Sequence, residues 1–95
     1  MLLAKRMAEA LEKAGVKVVG YEESKNPKFM DGEVSLENSF NIQVGSNYAC
    51  LCIIRKGGEI DYLLEMEEIE READFAKEVA SFIMHPRESP GQAGE

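Results

Sequence analysis

The sequence predicts an α+β fold: an antiparallel sheet carrying two amphipathic helices on one face, in the order α-β-β-β-β-α. Three observations predict it. Apolar residues recur at helical spacing near both ends, they switch to period two between Glu33 and Met66, and tight-turn residues punctuate that middle stretch. With 44% apolar and 31% charged residues, the 95-residue chain suits one globular domain, expected over 1–86.

The first helix is expected over residues 2–14. Leu3, Met7, Leu11 and Ala14, joined by Ala10, mark its apolar face, and Lys5, Arg6, Glu9, Glu12 and Lys13 face water. Gly15 stops it, since glycine takes the left-handed conformation without a Cβ clash. Val16 to Tyr21 reads as a short first strand. Glu22 to Gly32 then forms a loop around the turn signals Asn26-Pro27 and Asp31-Gly32. Its Phe29 and Met30 are a candidate anchor pair for a partner, because aromatic anchors dominate interface energies.

A three-stranded meander follows. Val34, Leu36, Phe40, Ile42 and Val44 share parity, with Glu33–Leu36 read as an extension or short extra strand and a bulge near Asn38. The main strands are expected over 39–45, 49–55 and 60–66. Ser46-Asn47 and Gly57-Gly58 are both suited to two-residue hairpins. Those two turns pair Val44 with Ala49, Ile42 with Leu51 and Phe40 with Ile53. Across the second, Ile53 meets Tyr62, Leu51 meets Leu64, and Ala49 meets Met66. All these residues share the face that the helices should cover.

The opposite face then carries Asn41, Gln43, Asp61, Leu63 and Glu65, with Tyr48, Cys50, Cys52 and Ile54 as a middle stripe. An apolar stripe with a polar rim is a candidate contact surface. A last helix is expected from Glu67 or Glu68 to just before Pro86. Its apolar stripe is Ile69, Ala73, Ala76, Val79, Ala80 and Ile83, widened by Phe75 and Phe82. Residues 87–95 are apolar-poor and expected to form a disordered tail.

The formal charge of −7 is lopsided. Residues 1–58 hold eight Lys/Arg against seven Asp/Glu, and residues 59–95 hold three against eleven. Glu65, Glu67, Glu68, Glu70, Glu72 and Asp74 crowd into ten positions, relieved by Arg71. Such a surface excludes direct nucleic-acid binding, which needs basic groups for phosphate, and suits a protein partner with a basic surface. In outline the element order resembles the double-stranded-RNA-binding domain, α-β-β-β-α. That resemblance would imply phosphate-gripping lysines at the start of the last helix, where this chain has Glu67, Glu68, Glu70 and Glu72.

Chemistry finds little purchase. Cys50 and Cys52 share a strand face, yet a zinc site wants four ligands, and the sole histidine, His85, stands far away beside Pro86. The acidic run lacks the alternating oxygen ligands and central glycine of a calcium loop. No phosphate-loop, dinucleotide, zinc-protease or nucleophile-elbow motif occurs. Neither a cofactor nor a metal is expected, and the chain is read as a non-enzyme. The opening Met-Leu-Leu-Ala reaches Lys5 and Arg6 at once, which leaves no signal peptide or membrane span; with two thiols only, the expected location is cytoplasmic.

The expected function is a small acidic protein-binding module of inhibitor, immunity or adaptor type, from a bacterium or phage. It would act through the acidic start of the last helix and the apolar sheet face. The alternatives are a homodimeric structural or assembly protein joined through Tyr48, Cys50, Cys52 and Ile54 or along an edge strand, and a small ligand-binding or enzyme-accessory domain.

Overall fold

The computed structural model describes residues 2–23 and 32–84. Helix α1 spans Ala4–Lys13, strand β1 Val18–Glu23, β2 Gly32–Leu36, β3 Phe40–Val44, β4 Ala49–Ile54, β5 Ile60–Met66, and helix α2 Glu72–Met84. The strands form one antiparallel sheet in the order β1-β2-β3-β4-β5. The fold is α+β, with five strands where four were expected.

The additional strand is β2, which takes the second of the two readings of Glu33–Leu36, a short extra strand and not an extension. Between Leu36 and Phe40 the chain makes a single 3₁₀ turn, with Asn38 at φ 64° and Ser39 at φ 69°. Asparagine tolerates this left-handed region better than most residues. The expected bulge near Asn38 is therefore a full reversal. Parity survives it: Val34 lies opposite Ile42, and both are fully buried. The first strand takes the sheet edge beside β2, beginning at Val18 instead of Val16.

Val16 instead closes α1. Its N–H donates to Leu11 O at 2.9 Å, and the Gly15 N–H donates to Glu12 O at 3.0 Å, with Gly15 at φ 93°. This pair of bonds satisfies carbonyls that a helix end otherwise leaves free. The buried face of α1 is Ala4, Met7, Ala8 and Leu11, together with Leu2 just before it. Leu3, expected on that face, is the extended residue at the helix entrance and so lies outside the helical period. The Leu2 N–H donates to Ser46 O at 2.9 Å, fastening the start of the described chain to the β3–β4 turn.

Helix α2 starts at Glu72, four or five residues later than expected. Glu68 is at φ 57°, and the Ile69 N–H donates to Asn47 O at 2.8 Å. Residues 67–71 are thus a crossing loop pinned to the same β3–β4 turn. Ile69 reaches the core from that loop, while Phe75, Ala76, Val79 and Ala80 do so from the helix. Ala73 is exposed, standing just outside a buried face centred on Glu72, Ala76 and Val79 and bounded by Phe75 and Ala80. Met7, Leu11, Ile42, Leu51, Phe75 and Val79, all fully buried, are the middle of a single core cluster between helices and sheet.

Phe29 and Met30, His85, Pro86 and the tail 87–95 lie outside the described residues. Among the described residues, no helix is long and apolar enough to cross a membrane.

Candidate functional site

The geometry of the sheet's outer face is set by the second hairpin. The first matches expectation, pairing Val44 with Ala49, Ile42 with Leu51 and Phe40 with Ile53. In the second, Ala49 meets Met66 and Leu51 meets Leu64, but then the register slips by one residue. Cys52 faces Tyr62, Ile53 faces Asp61 and Ile54 faces Ile60, which leaves Leu63 as the extra residue of a β-bulge.

The cause lies in the loop. The Arg55 N–H donates to Glu59 O at 2.8 Å and the Gly58 N–H to Arg55 O at 3.0 Å, with Gly57 and Gly58 at φ 90° and 89°. This closes three residues inside the Arg55–Glu59 pair, where the expected turn held two. The extra residue at Leu63 restores the apolar register further along. The expected Ile53–Tyr62 pair is thereby corrected. Tyr62 and Ile60 turn away from the helices to join Cys52 and Ile54, and Asp61 leaves that face to pair with Arg55.

Of the expected stripe, Tyr48 is half-buried and Ile54 exposed, while Cys50 and Cys52 are buried at 1% and 0% exposure. The thiols do not belong to the core under the helices. A hydrogen bond joins the Tyr48 hydroxyl and Cys50 Sγ, and Cys52 Sγ donates to Asn41 O at 3.5 Å. Burial raises both thiol pKa values; at Cys50 it outweighs the lowering effect of Tyr48 and of the Gln43 backbone. Protonated, shielded thiols are poor nucleophiles and poor metal ligands. Burial, followed by the bond to Cys50, pushes the Tyr48 phenol up to about 12. Beside them Asn41 is also buried, and its Oδ1 finds no partner among the described residues.

The solvent-facing part of this surface is accordingly Ile54, Ile60 and Tyr62, the last 55% exposed, with Glu65 opposite Cys50. The signal for Tyr62 and Ile60 was present only as an ambiguity in Lys56-Gly57-Gly58-Glu59, which can close around two residues or three.

The six acidic candidates divide. Glu65 lies on β5, and Glu67, Glu68 and Glu70 in the crossing loop; all four are exposed and none forms an ion pair among the described residues. Asp74 pairs with Arg71 at 3.6 Å. Glu72 points inward, 8% exposed, accepting the Leu3 N–H at 2.8 Å and the Arg6 Nε–H at 3.1 Å. Burial alone would raise its pKa; the Leu3 N–H, its own N–H and Arg6 together more than reverse this, so the value is lowered. Its charge is spent inside the fold. The acidic feature is therefore mainly a strand-and-loop surface instead of a helix start.

Among the described residues no group of three or more His, Cys, Asp or Glu is placed to hold a metal ion. No family model, curated protein or solved structure matches this chain significantly.

Proposed function

We propose that this chain is a small acidic, non-enzymatic protein-binding module that docks on a basic protein surface, as an inhibitor, immunity protein or adaptor in the cytoplasm. One observation carries this reading: Glu65, Glu67, Glu68 and Glu70 form an exposed acidic edge without ion-pair partners among the described residues. Charge that is not consumed internally is free to steer and orient a partner. The shielded, protonated thiols support a role without redox or nucleophilic chemistry.

The test is affinity capture with the immobilised chain, beside a variant carrying Gln at 65, 67, 68 and 70. Partners retained at low salt should be released as salt rises and be missing from the variant. Identical capture by both proteins would rule the electrostatic docking out.

A homodimer is the second reading, favoured by the exposed Ile54, Ile60 and Tyr62 on the edge-strand side of the sheet. A size measurement across a dilution series decides it, because a monomer at every concentration excludes a stable dimer.

A further inference from the structure

The helix-free face brings two phenol rings and a free carboxylate over two buried thiols. Glu65 is the cross-strand partner of Cys50, and Tyr62 that of Cys52. Tyr48 precedes Cys50 by two residues, shares its face and is hydrogen-bonded to it. The Tyr48 phenol lies close enough to Glu65 and Tyr62 for both to act on it electrostatically. Cys50 and Cys52 form a sealed floor beneath them, while Tyr62 and Glu65 reach into solvent.

Two aromatic rings beside a carboxylate suit one kind of side chain. A guanidinium stacks flat on an aromatic face and donates in its own plane to a carboxylate at the same time. A lysine ammonium, compact and strongly hydrated, gains less from such a site. The surroundings carry the matching sign. Between Glu59 and Glu70 there are six acidic residues and no Lys or Arg, and only Asp61 of the six has an ion-pair partner among the described residues. A second copy of this chain, the alternative occupant of this face, would set the same acidic edge against itself, whereas a basic partner matches its charge.

We propose that Tyr48, Tyr62 and Glu65 form a docking site for an arginine side chain of the basic partner. The site rests on the acidic-docking reading above and gives it a point of specificity: Glu67, Glu68 and Glu70 attract any basic segment, and the tyrosine pair selects arginine within it. Ile54 and Ile60, paired across the hairpin on the same face, receive the apolar neighbours of that arginine.

The full chain is titrated calorimetrically at low salt with acetylated tetra-arginine amide and with acetylated tetra-lysine amide. Tetra-arginine should bind about threefold to fivefold more tightly, the size of one exposed cation–π contact. Tyr62→Leu, at an exposed position that leaves the core intact, should erase the difference while tetra-lysine binding stays. Tyr62→Phe, which keeps the ring, should preserve it. Equal affinity for the two peptides, or a preference that survives in Tyr62→Leu, overturns the arginine site. If equal binding vanishes when Glu67, Glu68 and Glu70 become Gln, acidic docking stands without it. Absence of any binding removes both.

Discussion

Glu72, in the first turn of α2, accepts the Leu3 N–H at the entrance of α1 at 2.8 Å. Glu23, at the end of β1, takes the next two donors, the Ala4 and Lys5 N–H groups, each at 3.0 Å. A helix leaves its first four N–H groups without internal partners. Here α1 has no acidic residue in its own first turn and an entrance leucine that cannot cap. Two carboxylates brought by the sheet and the other helix do that work, and both favour the positive end of the helix dipole. Helix α1 is thus stabilised by tertiary capping.

Glu72→Ala should therefore destabilise the protein by about 2–3 kcal/mol, the range for removing a charged acceptor from a shielded hydrogen-bond set. Glu70→Ala, two residues away and exposed, should change stability little. Urea unfolding of both variants, followed by circular dichroism, checks the contrast. Equal effects would contradict the assigned role of Glu72.

The same carboxylate predicts an acid response. Its folded-state pKa lies below the ordinary 4.5, so its contribution is complete above that value and lost as pH falls through the lowered one. The stability difference between wild type and Glu72→Gln should be constant near neutrality and shrink progressively below about pH 4.5. Denaturation midpoints measured across that range give the curve. A difference that grows on acidification would reverse the sign and refute the assignment.

Deleting Leu63 should remove the bulge without changing either set of pairs, leaving Leu64 opposite Leu51 and Tyr62 opposite Cys52 on the helix-free face. Nitration by tetranitromethane reports this directly. Tyr62 should stay as reactive in the deletion variant as in the wild type, with Tyr21 on β1, exposed in the wild type, as the internal standard. A loss of Tyr62 nitration would show that the pairing shifts and that Leu63 is not the extra residue.

Cys50 and Cys52 should react with a disulfide reagent only as fast as the sheet opens, far more slowly than a free thiol at the same pH. In guanidinium chloride both should react at once. Rapid modification of the folded protein would show the thiols to be open to solvent.

Gly32 has no room for a side chain: a Cβ there would fall 2.7 Å from Glu22 O and 2.8 Å from Ala4 Cβ. Gly32→Ala should cost about 1–3 kcal/mol, because backbone and helix must both shift to admit the methyl. A thermal melt of the variant against wild type measures it. No loss of stability would mean that α1 can move off the sheet freely.

Much of this was legible in the order of residues. Period two from Val34 to Met66, with Ser46-Asn47 as a tight turn, determined which residues of β3 and β4 share the helix-covered face. That followed because a strand alternates strictly and a two-residue loop fixes its partner's phase. The helical spacing around Met7 and Leu11, and Gly15 as terminator, likewise belong to local chain geometry. So does the acidic bias of the second half, which needs no coordinates to count.

What only the tertiary structure decided were choices between nearly equal local options. Lys56-Gly57-Gly58-Glu59 allows loops of two or three residues, and pairing over the whole of β5 selected the longer one, with Leu63 as its compensation. Asn38 could bulge or reverse, and burial of Val34 against the core favoured reversal. Glu67 to Arg71 could continue a helix, yet Ile69 is held to Asn47 and buried, which ends that option. Above all, no pattern in the sequence connects Glu23 or Glu72 to the entrance of α1. A cap supplied from another element exists only once packing has brought that element there.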